Sequence, residues 1–144
     1  MKKVVIDTNV IVSAIQTGDS ISQDLLRLVF LGNITILMSN ALFLEYEAIS
    51  QRHDVMARCR FTQSEAEQFL DALFAVSYWV EIYFAWRPNL KDENDNFLIE
   101  LAVAGNADYL ITKNIKDLKS GELLFPQLSI CSPQQFMANW RSQT

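Results

Sequence analysis

Two cysteines and a single histidine leave this chain of 144 residues poorly equipped for several kinds of chemistry. Cys59 and Cys131 lie far apart with no paired spacing, and His53 stands alone. A zinc site, with its closely spaced Cys or His ligands, is therefore excluded, and two buried free thiols are expected. Nothing marks His53 as the poised base of a serine triad. Glycine is scarce, at four residues, and no Gly-rich phosphate loop or Walker sequence is present, so nucleotide hydrolysis of that type is not expected. No apolar run approaches the roughly 18 residues of a membrane helix. The start, Met1-Lys2-Lys3-Val4-Val5-Ile6-Asp7, meets an acid after three apolar residues, too soon for a signal peptide, which points to the cytoplasm. Repeats, low-complexity segments and linkers are also missing, so residues 1–144 are expected to form one domain.

Positive charge is in short supply too. Twelve Lys and Arg against seventeen Asp and Glu give a formal charge of −5, which argues against tight general binding to nucleic acid by electrostatics alone. It leaves room for an enzyme with acids in its cleft and bases around the rim. Lys113, Lys116 and Lys119, and separately Arg52, Arg58 and Arg60, are the basic groups placed for a rim, although a solvated face is the plainer reading of each.

What the chain does have is apolar residue, at 50%, spread evenly enough for a folded core. Val4-Val5-Ile6 is a short β-branched run, the mark of a strand buried on both faces. A helix is expected from near Val10. Ser20-x-x-Gln23 has the form of a capping box and opens a helix to about Leu31, ended by Gly32-Asn33. Ile34 to Met38 is the second strand, and Ser39 or Asn40 caps a helix running toward Arg52. Thr62-x-x-Glu65 is a second capping box, for a helix to about Ser77. Trp79 to Phe84 alternates as a third strand, and Arg87-Pro88-Asn89-Leu90 is a connector. An acid-rich helix then runs to Ala104 and breaks at Gly105-Asn106. Tyr109 to Thr112 is a strand followed by the polar loop Lys113 to Asp117, Leu128 to Cys131 is a last strand, and Ser132-Pro133-x-Gln135 opens a final helix. Alternation of this kind favours an α/β fold with a parallel sheet between layers of helices.

Three acids stand out. Asp7 follows the first strand directly, and in open α/β sheets ligands sit at the carboxyl ends of strands; the alternative is that Asp7 merely caps the next helix. Glu45 has Ala41, Leu42, Ala48 and Ile49 at helical spacing, so its carboxylate is expected on an apolar face, where it needs a cation, hydrogen bonds or a metal. Asp95 sits with Asp92 and Glu93 in one helical turn, more acid than the welcome of a helix N-terminus explains. Carboxylates gathered in one cleft repel, and a hard divalent cation, Mg²⁺ or Mn²⁺, relieves that repulsion.

Val4-Val5-Ile6-Asp7-Thr8-Asn9, Leu44-Glu45-Tyr46-Glu47, Asp92-x-x-Asp95-Asn96-x-Leu98-Ile99-Glu100-Leu101-Ala102 and Ala107-Asp108-Tyr109-Leu110-Ile111-Thr112 together resemble a PIN domain. They are most similar to the VapC-like branch, the toxin components of toxin–antitoxin systems, and the likeness runs from Val4 to about Cys131. The resemblance implies a three-layer α/β/α fold around a parallel sheet of four to five strands, and a metal-dependent endoribonuclease site. Asp7, Glu45 and Asp95 match the acids that members use around Mg²⁺ or Mn²⁺. Thr8 and Asn9 match the support around the first acid, and Thr112 a polar residue at the end of the fourth strand; apart from the likeness, Asp92 or Asp117 is a candidate to supply further charge beside them. Where the family usually has a fourth acid this chain has Asn114, an oxygen ligand without charge, so a second metal is held more weakly. Lys113 and Lys116 are placed to meet an RNA backbone. A cognate antitoxin protein and a homodimer are the partners implied, with no membrane, and the arginines at 52, 58 and 60 are a candidate surface for an acidic antitoxin or RNA.

Two other readings compete. A receiver-type signalling domain wants two adjacent acids after the first strand and an acceptor aspartate after the third, and this chain offers Asp7-Thr8 and none. A PIN-like domain that binds RNA or protein without cutting is kept open by Asn114.

Overall fold

The structure, a computed structural model, describes residues 1–82, 93–118 and 125–143, without the side chains of residues 93 and 94. The first strand, β1 (Lys3–Ile6), has Val4, Val5 and Ile6 fully buried, as a strand covered on both faces requires. It is followed by α1 (Thr8–Ile15), α2 (Ser20–Phe30), β2 (Thr35–Met38) and α3 (Asn40–Ala48). A 3₁₀ turn (Ile49–Gln51), α4 (His53–Met56), α5 (Gln63–Val76) and β3 (Tyr78–Trp79) come next. After residues 83–92 come α6 (Glu93–Ala104), β4 (Tyr109–Ile111), α7 (Ile115–Leu118), β5 (Ser129–Cys131) and α8 (Pro133–Ser142).

The five strands form one sheet in the order β3-β2-β1-β4-β5, every pair parallel. Helices flank it, and α6 packs against β1, β2 and β4. The expected α/β/α architecture is therefore present. The strand order also fixes where a cleft must open. From β1 the chain works outward to β2 and β3, then crosses back to β4 on the other side of β1 and goes outward again to β5. The connections leaving β1 and β4 thus run in opposite directions, which makes the gap between their carboxyl ends the switch point of the sheet. Register sets the two ends level: Ile6 lies opposite Ile111, and the Asp7 N–H donates to the Ile111 carbonyl at 2.9 Å. Asp7 and Thr112 are the next residues on the two strands.

Several local expectations need correction. The cap of α2 is Asp19, whose carboxylate accepts from the Ser22 N–H at 3.0 Å and the Ser22 hydroxyl at 2.9 Å; Ser20 is already helical. An acid one residue upstream outcompeted the hydroxyl as acceptor. α1 begins at Thr8 rather than near Val10. α3 stops at Ala48, and the chain to Arg52 continues as the 3₁₀ turn. Lys113 to Asp117 is not wholly loop, because Ile115–Leu118 make one helical turn that buries Leu118. β3 is Tyr78–Trp79, so it begins one residue early and takes in only Trp79 of the strand expected from Trp79 to Phe84, residues 80–82 lying outside it; residues 83 and 84, the 87–90 connector, Asp92 and Lys119 lie outside the described residues. Among the described residues no helix is long and apolar enough to cross a membrane.

The break after α6 divides its two jobs between two residues. Asn106 takes the left-handed conformation (φ 53°), and the Ala107 N–H reaches back to the Ala102 carbonyl at 2.8 Å, closing the helix as a Schellman turn does. Gly105 serves a different purpose: a Cβ there would stand 2.6 Å from Leu37 Cδ1 of β2, so it lets the helix end lie close on the sheet.

Candidate active site

Asp7 occupies the N-cap position of α1, yet its side chain makes no capping hydrogen bond. Its Oδ2 instead accepts from the Thr112 hydroxyl across the switch point at 2.7 Å. Thr112 is fully buried, and its Oγ1 accepts the Asn114 N–H at 3.0 Å. A hydroxyl carries one proton; with a lone pair occupied by the amide, that proton is directed at the carboxylate. The capping alternative for Asp7 is thereby reduced to its main chain, whose carbonyl accepts from Val10 N–H at 3.0 Å.

The residue after Asp7 turns the other way. Thr8 Oγ1 donates to Glu45 Oε2 at 2.9 Å, tying α1 to α3. Glu45 is half-buried, at the edge of the apolar face rather than in it: Leu42, Tyr46 and Ile49 are buried, while Leu44 and Ala48 are exposed. The face centres on Tyr46, one position from where the spacing of small and apolar residues had put it. Burial, and after it the negative charges of Asp7 and Glu45, push the Tyr46 phenol far above its ordinary range, so both carboxylates are felt at one buried point.

The other expected residues fall around this pair. Asn9 Oδ1 accepts from the Lys113 N–H at 3.4 Å, a long bond that closes the β4 loop over α1. Lys113 Nζ forms an ion pair with Asp19 at 2.7 Å. Burial raises the Asp19 carboxyl, but hydrogen bonds from Lys113 and Ser22 and the Lys113 charge outweigh it, leaving the group below its reference value of 3.8. Asn114 is exposed, one residue before α7, and Lys116 is exposed on α7. Asp95 is half-buried in the first turn of α6, with Leu98 and Ile99 buried against the core. A helix joining parallel strands runs back against them, so this turn lies toward the carboxyl ends of the strands, and α6 also packs on α3. No group of three His, Cys, Asp or Glu side chains among the described residues stands close enough to share a metal ion. The structure thus links Asp7 to Thr112 and Asn114, Thr8 to Glu45, and Asn9 to Lys113 in a network along two stretches of chain, and puts Asp95 toward the same ends of the strands.

The donors fit a hard divalent cation in kind: carboxylates from two elements, each oriented by a hydroxyl through one oxygen. The arginine cluster is less available than its sequence suggested, because Arg52 pairs with Asp54 at 3.2 Å and Arg60 donates to the Ala14 carbonyl at 3.0 Å. Cys59 and Cys131 are free thiols, Cys59 half-buried and Cys131 buried. Asp19 and Tyr46 are the site-forming residues that sequence reasoning missed. A tyrosine beside a candidate acid, on the helix face of Leu42 and Ile49, was the available signal for the second.

The family model for the PIN domain matches residues 3–116, which includes every residue of this network. The chain belongs to the PIN domain family. Among solved structures, this PIN domain is similar to a chain of VapBC2 from Rickettsia felis, determined bound to a DNA fragment from their promoter. The TM-score is 0.62 at 21% identity, over 90% of this chain and 98% of that one, a likeness that speaks for the fold. No curated protein matches the PIN chain significantly.

Proposed function

We propose that this PIN domain is a metal-dependent endoribonuclease, acting as the toxin of a toxin–antitoxin pair. The observation that carries the reading is that Asp7, placed to cap a helix, leaves that work to its main chain and takes the Thr112 hydroxyl at the sheet's switch point. An acid held out of its structural role at the place where α/β sheets bind ligands is an acid kept for chemistry.

Asp7 and Glu45 would hold Mg²⁺ or Mn²⁺ together with Asp95, and Asn114 would add a neutral oxygen. Such a cation supplies Lewis acidity, favouring ionisation of water near neutral pH and offsetting charge that builds on a phosphodiester. The reaction is in-line attack of water on phosphorus in single-stranded or loop RNA, leaving 5′-phosphate and 3′-hydroxyl ends. Thr112 and Thr8 fix the carboxylates so that little reorganisation is needed as charge develops. Lys116 meets the RNA backbone; Lys113 does so by exchanging Asp19 for a phosphate, since the two anions compete for one ammonium. The likeness in fold to a chain of VapBC2 supports a protein partner, here a cognate antitoxin, and a homodimer fits the same setting.

The test is Mn²⁺-dependent cleavage of an RNA panel by wild type and Asp95→Asn, with loss of cleavage expected in the variant. Equal cleavage by both would remove Asp95 from the site. Asn114 in place of an acid favours a second reading, a PIN-like domain that binds RNA or protein without cutting. Calorimetry decides between them: Mn²⁺ uptake by wild type that Asp7→Asn abolishes supports the enzyme, and no uptake by wild type supports the binding domain.

A further inference from the structure

The Tyr46 phenol takes no part in the chemistry proposed above, yet it is fully buried and its hydroxyl donates to the main-chain carbonyl of Ile6, the residue before Asp7. That carbonyl has a definite need. The Asp7 N–H is turned to β4, where it meets the Ile111 carbonyl, so alternation along the strand turns the Ile6 carbonyl toward β2. β1 and β2 are paired at Lys3–Thr35 and Val4–Ile36. By the level of Ile6, β2 is already leaving, because Ser39 is the N-cap of α3. A buried carbonyl without a partner is costly. The Tyr46 hydroxyl supplies the partner that the diverging strand does not.

The place of this bond matters as much as its existence. Tyr46 holds residue 6, and Glu45, its neighbour on α3, is held by the hydroxyl of residue 8 at 2.9 Å. Two consecutive residues of α3 therefore grip the residues on either side of Asp7. The grip at Ile6 uses a phenol and a main-chain carbonyl, and consumes no carboxylate oxygen. Phe74 of α5 stacks on the Tyr46 ring, centroids 6.3 Å apart, and braces it.

We propose that Tyr46 is a positioning residue: its bond to Ile6 sets the separation of the Asp7 and Glu45 carboxylates, and through it the affinity of the site for a divalent cation. The inference rests on the reading of this site as a cation centre. Without the hydroxyl the ring still fills its place, but α3 loses its hold on the end of β1, and two like charges drift apart.

Tyr46→Phe makes that change alone. Mn²⁺ is titrated calorimetrically into the wild type, Tyr46→Phe and Val29→Ala, a core truncation near the end of α2 that controls for lowered stability. Amide hydrogen exchange on the same metal-free proteins is read at Asp7 and Val10. Tyr46→Phe is expected to bind Mn²⁺ about ten- to a hundredfold more weakly, the usual effect of losing an outer support. Val29→Ala is expected to keep the wild-type affinity, and Asp7 and Val10 to lose protection in Tyr46→Phe selectively. Wild-type affinity in Tyr46→Phe, or a weakening matched by Val29→Ala, would overturn the inference while leaving the cation site standing. A wild type that takes up no Mn²⁺ would overturn the cation reading itself, and the inference with it.

Discussion

Replacing Thr112 by valine tests the link between the sheet's switch point and the Asp7 carboxylate with little change of shape. The hydroxyl is fully buried and donates to Asp7 at 2.7 Å while accepting the Asn114 N–H at 3.0 Å. A hydrogen bond to a charged group contributes about 1.5–3 kcal/mol. The Asn114 amide belongs to an exposed residue and can turn to water, so it adds little. The extra buried methyl returns on the order of 0.8 kcal/mol. The net loss is about 1–2 kcal/mol, which for a domain of this size lowers Tm by roughly 3–6 °C. Thr112→Ser is the control, since it keeps the hydroxyl and gives up only a methyl. Thermal unfolding of metal-free protein, followed by circular dichroism, gives the stability, and Mn²⁺ calorimetry gives the site. Valine is expected to lose both stability and about tenfold in Mn²⁺ affinity. Serine is expected to lose stability and keep affinity. A valine variant with wild-type affinity would refute the view that Thr112 aims Asp7, whatever its Tm.

Other outcomes follow from single contacts. Asp19→Ala removes the α2 cap and the Lys113 partner together and should cost about 2 kcal/mol, whereas Asp19→Asn, which can still cap, should cost well under half of that; urea titration separates them. Because the folded Asp19 carboxyl lies below its reference value of 3.8, its contribution is full above that value and is lost as pH falls through the folded one. The stability gap between wild type and Asp19→Asn should therefore close on acidification below about pH 4, as acid-unfolding curves would record. Gly105→Ala would bring a Cβ to 2.6 Å from the side chain of fully buried Leu37 and should destabilise by about 1–3 kcal/mol in thermal melts. Lys116→Ala should weaken RNA binding across sequences and lower the salt slope by about one, while Lys113→Ala, already paired with Asp19, should change it less.

The fold was largely legible because its signals are local and mutually consistent. The β-branched run of β1, the capping boxes at Thr62 and Ser132 and the stop after Ala104 each say what the chain does within a few residues, and the structure agrees. Two of the errors arose where neighbouring groups could do one job. Asp19 and Ser20 compete for a cap, and the carboxylate wins. Glu45 and Tyr46 compete for the centre of a helix face, and the phenol wins because its hydroxyl finds the Ile6 carbonyl. Asp7 and Glu45 could be singled out as candidates from their places along the chain. Which acid each supporting hydroxyl serves could not, since the bonds from Thr112 to Asp7 and from Thr8 to Glu45 span 105 and 37 residues, and strand order rather than spacing brings them together.

The proposed function has Asp7 anchor metal-dependent hydrolysis of RNA. It is tested most directly by incubating an end-labelled RNA with purified wild type or Asp7→Asn, in Mn²⁺ and in chelator, and identifying the product ends. Cleavage that needs Mn²⁺, falls at least a hundredfold in Asp7→Asn and leaves 5′-phosphate and 3′-hydroxyl ends is the predicted result. Cleavage that survives the chelator or the substitution, or that leaves 2′,3′-cyclic phosphates from attack by the RNA's own hydroxyl, would contradict it.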